Sequence, residues 1–377
     1  MRGSYNSVRN VVRGGLKWAA VCIAFTSMAY GRSGFEASGS HQDAETIADC
    51  ILAIEGLGDP NASALSKLHI IIDRAAAFFG PVRAEEDEAE TARRFFRAVD
   101  RALVENEVIF PPDGEVDFLR EGLGAHSLSA QDYARAEARF ANARRLPWMR
   151  ENQQEGGAFA FLDCDLAAIV YLAVAERLKL PVHMVELPGH TFVRWQSPRV
   201  SLNWDPNDAI SYPDDHYIRT WRVPLVAAVW PCYFENLSRE RVLSTWRVLC
   251  GREKSSRGDF EGARSDFRGA VMMDPTNLGA VNELAWLLAT CPVTSIRNGR
   301  EALALAESNV SRARRAVWLQ TLGAAQAEVG DFQSAIASEE ASQQITEPAL
   351  GAVGPREYLR SHEPMLAAYR RKQTLAK

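Results

Sequence analysis

Apolar residues recur at spacings of three and four from residue 44 onward. The segments "AETIADCILAIEGL", "ASALSKLHIIIDRAAAFFG", "EEDEAETARRFFRAVDRALVEN" and "SAQDYARAEARFANARRL" each carry one apolar stripe, and each predicts an amphipathic helix. Between the third and the fourth, "VIFPPDGEVDFLREGLGAHSL" has the Pro and Gly punctuation of a loop. A different pattern begins at "CDLAAIVYLAVAERLKL", where Leu166 to Val174 is an unbroken apolar run with only Tyr171 bearing a polar group. A helix apolar on all sides is a buried one, and this run is too short to span a bilayer. The next segments, "PVHMVEL", "TFVRWQ" and "VSLNWD", are short, rich in β-branched and aromatic residues, and separated by "PG" and "SP". They read as neighbouring strands, so a helix followed by strands predicts an α+β core. After residue 237 the pattern turns helical again.

That last stretch has internal self-similarity. "CGREKSSRGDFEGARSDFRGAVMMDP" and "LGAAQAEVGDFQSAIASEEA" share a register of small residues: Gly251, Gly258 and Ala263 in the first, Gly323, Gly330 and Ala335 in the second. The two registers lie 72 residues apart (330 minus 258), which is two units of about 34 residues plus an insertion. "NELAWLLATCPVTSIRNGREALALAESN" fills the gap as a lengthened middle unit. The C-terminal third therefore resembles tetratricopeptide repeats, about three of them. The resemblance implies an all-α solenoid with a surface for a protein partner.

Composition changes little in this picture. With 377 residues, 47% hydrophobic and 24% charged, the chain has room for several domains. The net charge of −5 gives no basic field for a polyanion, so nucleic acid is not an expected partner. The N-terminus is an exception: Arg2, Arg9, Arg13 and Lys17 precede "WAAVCIAFTSMAY" with no acid before Glu36. Basic and then apolar is the layout of an export signal, with Ser27 and Ala29 as the small residues of a cleavage site. Residues 1–29 are expected to be a signal peptide or N-terminal anchor, and 30–43 a Gly/Ser-rich linker. This implies an exported, periplasmic or extracytoplasmic protein with no other membrane span. Losing Cys22 with the signal leaves Cys50, Cys164, Cys232, Cys250 and Cys291, an odd number without a CxxC pair, so at least one thiol is left over. Cys250 and Cys291 fall at packing positions of the repeats.

The thiol with chemistry around it is Cys164. Asp163 is a natural N-cap for the buried helix, which puts Cys164 in the first turn, facing unpaired N–H groups and the positive end of the helix dipole. That setting favours a thiolate, while Asp163 and Asp165 on either side oppose it. The Cys164 N–H itself is an oxyanion-hole candidate, and "ENQQEGG" upstream offers Gln153 and Gln154 as a second donor, with Asn152 beside them. His190 opens the second strand after "ELPG" and is a candidate base. His183 sits mid-strand among apolar residues and reads as structural. In "VSLNWDPND", alternation puts Ser201, Asn203 and Asp205 on one face, so either Asn203 or Asp205 is available to accept the Nδ1 proton of His190. Cys164, His183, His190 and Asp205 match no metal-ligand spacing, and no cofactor or metal is expected.

Cys at the start of a buried helix, then "ERLKLPVHMVELPGHTFVRW", then "LNWDPND", resembles the transglutaminase-like branch of the papain-like cysteine fold. The match covers about residues 159–208, with "SYPDDHYIRTWRV" as its continuation. The resemblance implies Cys164 as nucleophile, His190 as base and Asp205 as orienting acid, with Asn203 as the alternative third member. It also implies a cysteine peptidase or acyltransferase acting on a peptide or protein. A catalytically silent scaffold that keeps the fold is the other expectation. The expected order of domains is 44–145 helical support, 146–236 transglutaminase-like core, 237–348 repeats and 349–377 tail.

Overall fold

The computed structural model describes residues 45–56, 63–83, 85–109, 116–127, 158–187, 189–221, 234–349 and 355–376. The expected signal and linker, the helix read at 129–146, and Asn152, Gln153, Gln154 and Cys232 lie outside the described residues. The chain is mixed α+β, with a small antiparallel sheet and a long helical C-terminal region. No described helix is long and apolar enough to cross a membrane. Two compact units divide the described residues, one ending at Ser238 and the other beginning at Arg239.

The first unit is built around one helix. Helices α1 (Ile47–Ile54), α2 (Ser63–Phe79) and α3 (Glu88–Glu105) pack against α5 (Cys164–Leu178), which also packs against strands β4 (Val182–Leu187) and β5 (His190–Gln196). Every α5 residue from Leu166 to Ala175 is buried, as a helix apolar on all faces requires. Specific polar ties fix the layers. The Ile47 N–H donates to Glu176 Oε2 at 2.6 Å, binding α1 to α5. Buried Glu55 accepts the N–H groups of Leu119 and Arg120, both at 2.8 Å, which holds the first turn of short α4 (Leu119–Gly122). Asp100 on α3 accepts from the Tyr171 hydroxyl of α5 and, at 3.1 Å, from the Trp204 indole N–H of strand β6 (Ser201–Trp204). α5 ends at Lys179, which takes a left-handed conformation (φ 55) and donates its N–H to Ala175 O and Glu176 O.

β4, β5, β6 and β7 (Asn236–Leu237) form an antiparallel sheet in the order β6-β5-β4-β7. Leu187 pairs with His190, so the chain reverses between β4 and β5, and Gly189 there has φ +71, a conformation glycine adopts without strain. A second small sheet lies where a loop was expected: β1 (Val108–Ile109) runs parallel and β2 (His126–Ser127) antiparallel to β3 (Ala158–Phe161). β1 and β2 are two residues each, too short for alternation to register among the Pro and Gly that surround them.

The second unit is a succession of helices: α7 (Arg239–Ser256), α8 (Phe260–Met273), α9 (Leu278–Thr290), α10 (Gly299–Arg312), α11 (Ala316–Glu328), α12 (Phe332–Ala349) and α13 (Pro355–Arg370). α6 (Asp214–Thr220) belongs to the first unit. Each of these helices packs on the next, and α7 with α9, and α9 with α11, touch as well, a pattern consistent with repeats. The two related registers coincide in detail. Gly258 (φ +83) and Gly330 (φ +90) turn the chain in a conformation suited to glycine, and Asp259 and Asp331 then accept the N–H of Gly262 and Ser334. A Cβ on Gly251 would fall 2.5 Å from the Phe267 ring, so the helix crossing there depends on glycine. Eight residues (291–298) join α9 to α10, where three join α7 to α8 and α11 to α12, which accounts for the lengthened middle unit. Cys250 and Cys291 are both buried in this unit.

Candidate active site

Asp163 caps α5 by accepting the Leu166 N–H at 3.1 Å, and Cys164 is the first residue of the helix. Its N–H is one of the donors that a helix start leaves without an intrahelical partner. The residue is partly exposed. The sulfur nevertheless has close neighbours: it donates to Asp165 Oδ1 at 3.7 Å, and the backbone N–H of Thr191, the residue after His190, lies near enough to favour its negative form. α5 therefore delivers the thiol to the end of β5 that carries His190. Burial pushes the thiol well above the ordinary range, and Asp165 and Asp163 push it further. The Thr191 N–H works against them, and Asp205 adds a smaller upward push.

His190 and Asp205 are both nearly inaccessible, at 6% and 2% exposure. His190 Nε2 lies 2.7 Å from Asp205 Oδ2. The orienting carboxylate was expected to take Nδ1. It takes Nε2 instead, which leaves Nδ1 outside this contact. The reason is geometric. β5 and β6 pair through Val193 and Trp204, so one step further along the ladder puts Asp205 beside Phe192 and diagonal to His190. From there a carboxylate meets the far nitrogen of the ring. Asp205 is itself held: its Oδ1 accepts the N–H of Asn207 at 2.9 Å, and its backbone bridges to Ile210.

Asn203 pairs across the ladder with Arg194, and its side chain is engaged there. Its Oδ1 accepts from Arg194 Nε at 2.7 Å, while its Nδ2 donates to Asp214 Oδ1 at 2.7 Å and to Tyr212 O at 3.1 Å. His183, on β4, pairs with Arg194 of β5 and lies four residues along from Leu187, the partner of His190. At the usual rise that is about 13 Å away along the strand. Gln153 and Gln154, the side-chain oxyanion candidates, lie outside the described residues.

Neighbours of the imidazole that sequence reasoning did not single out come from α6 and the residue after it. Trp221 stacks on the His190 ring at 4.4 Å with planes 15° apart, and buried Tyr217 stacks on Phe192 at 4.0 Å. Burial, and then the Asp205 charge, push the Tyr217 hydroxyl up, which keeps it neutral beside the carboxylate. The signal for these residues was the aromatic spacing in "DDHYIRTW", which alone does not say what the rings cover. A family model described as the Transglutaminase-like superfamily matches residues 166–231, so the chain carries a transglutaminase-like domain there. His190 and Asp205 fall inside that match, and Cys164 lies two residues ahead of it. No curated protein matches the chain.

Proposed function

We propose that the first unit is a cysteine acyl-transfer enzyme that cleaves or transfers an amide bond of a peptide or protein. The observation that carries this reading is the buried His190–Asp205 pair at 2.7 Å, with Cys164 at the start of the helix packed on the strand that His190 opens. In the proposed reaction His190 Nδ1 takes the thiol proton as Cys164 Sγ attacks the carbonyl carbon. Asp205 stabilises the imidazolium through Nε2, and the Cys164 N–H stands ready for the developing oxyanion. Collapse of the tetrahedral adduct breaks the C–N bond, and the imidazolium returns its proton to the leaving amine. Water or an amine then releases the acyl group from sulfur. The helical second unit, read as tetratricopeptide repeats, would hold a protein partner, and residues 1–29 would direct export, with the mature chain starting near Tyr30.

A catalytically silent scaffold is the second reading, and the upward push of Asp165 and Asp163 on the thiol favours it. Site-resolved alkylation with iodoacetamide separates the two. An enzyme site requires Cys164 to label faster than Cys50, the other partly exposed described cysteine, and to lose that advantage in His190→Ala. Equal labelling of Cys164 in the parent and in His190→Ala would leave the scaffold reading standing.

A further inference from the structure

Asn203 shares a strand face with Asp205 but serves a different group of atoms. Arg194 lies on β5, is 7% exposed, and has its guanidinium against the rings of Phe192 and Phe234, at 5.4 and 5.0 Å. Its three nitrogens each donate to a different side chain: Nε to Asn203 Oδ1 at 2.7 Å, Nη1 to Asn236 Oδ1 at 3.1 Å and Nη2 to Asp214 Oδ1 at 3.1 Å. Asn203 donates to the same Asp214 oxygen at 2.7 Å. Asp214 is the first residue of α6, so one carboxylate oxygen with two donors fastens the start of that helix to β5 and β6. Beyond it, α6 brings Tyr217 onto Phe192, and Trp221 caps the helix by donating its N–H to Tyr217 O at 3.0 Å. Trp221 is the ring lying flat on His190.

The imidazole is held at its edge by Asp205 and on one face by Trp221. The edge contact fixes one nitrogen but leaves rotation about the Nε2–Oδ2 line open, and the face contact closes that freedom. We propose that Asp214 is a positioning residue: held by Arg194 and Asn203, it sets α6 so that Trp221 keeps the His190 ring turned toward Cys164. This rests on the reading of Cys164 and His190 as a nucleophile and its base. It gives Asn203 a part in the site, not as the third member of the triad but as one of two donors that hold the cover of the second member.

The test uses the full-length chain and two readouts. The first is the ratio of Cys164 alkylation rates with and without His190, measured with iodoacetamide across pH and resolved by peptide mapping. The second is NMR of the His190 ring protons in histidine-labelled protein, which a stacked indole shifts upfield. Asp214→Ala is expected to lower the ratio about ten- to a hundredfold, the usual effect of a catalytic group displaced by about 1 Å, and to remove the upfield shift. Asp214→Asn keeps an acceptor oxygen and should fall between parent and Asp214→Ala. Asp215→Ala, which alters an exposed neighbour paired with Arg219, should match the parent. Asp214→Ser shortens the side chain with less change in polarity and repeats the test if Asp214→Ala does not fold.

An unshifted His190 spectrum and a ratio within twofold of the parent in Asp214→Ala would overturn the inference, as would Asp214→Asn falling below Asp214→Ala. If instead His190→Ala leaves Cys164 alkylation unchanged in the otherwise unaltered chain, the enzyme reading fails. The NMR shift still reports whether Asp214 sets the stack.

Discussion

Asp165→Asn should make Cys164 more reactive. Asp165 Oδ1 is 3.7 Å from the sulfur, and the substitution removes its charge while keeping its shape. Two unit charges at that distance interact by about 1 kcal/mol in water-like surroundings and about 4 kcal/mol at an effective dielectric of about 20. Asp165 is partly exposed, so the lower end applies, and about 1–2 kcal/mol is a reasonable repulsion to relieve. That raises the thiolate population roughly five- to thirtyfold, since about 1.4 kcal/mol is a factor of ten. A more stable thiolate is also a weaker nucleophile, with a Brønsted coefficient of about 0.4–0.5, so the net gain in alkylation rate is roughly two- to sixfold. The assay is iodoacetamide labelling near neutral pH, with the Cys164 peptide quantified against the Cys50 peptide of the same sample. An unchanged or slower Cys164 rate in a folded Asp165→Asn protein would refute the electrostatic account of this thiol. Because Asp163 caps α5, the matching experiment there is Asp163→Asn, which keeps the cap.

Asp205→Ala leaves the His190 ring and the Asn207 N–H without their acceptor, and is expected to cost about 1–3 kcal/mol in urea unfolding and to abolish the His190-dependent part of Cys164 alkylation. Stability should fall as pH rises above the ordinary thiol value of 9.0, because the folded protein keeps a Cys164 proton that the unfolded chain has lost. Below that value this thiol is protonated in both states and contributes no slope, and Cys164→Ala should flatten the alkaline fall in pH-dependent denaturation. Gly330→Ala and Gly258→Ala should each lower stability by about 1–2 kcal/mol in thermal unfolding, since a Cβ there meets no other atom within 4 Å and the cost is the positive φ alone.

Local patterns in the sequence carried much of this arrangement. The apolar run after Asp163 predicted a buried helix with Cys164 at its start, and "PG" predicted the turn before His190, because both are properties of adjacent residues. Alternation put Asn203 and Asp205 on one face but could not separate them. What separates them is a partner on another strand, Arg194 for one and His190 for the other. The choice of Nε2 over Nδ1 was illegible for the same reason: side-chain period carries no information about which edge of a ring a neighbour meets. In the sequence Asp214 and Trp221 read only as a continuation of the domain. Their role depends on contacts with residues 20 and 31 positions away, Arg194 and His190, and on a helix whose placement those contacts decide.

The region from residue 44 to 127 offered no chemistry in its sequence, yet Asp100 on α3 touches both halves of the site. It receives Tyr171, two turns along α5 from Cys164, and Trp204, the neighbour of Asp205. One carboxylate on a supporting helix thus gauges the helix that carries Cys164 against the strand that leads to Asp205. The span recognisable by similarity, 166–231, contains neither Asp100 nor the three helices that cover α5. A fragment cut to that span would expose the apolar surface of α5 to water and lose its gauge. The unit that can be inherited, grafted or expressed with its geometry intact extends well upstream of the part that similarity detects.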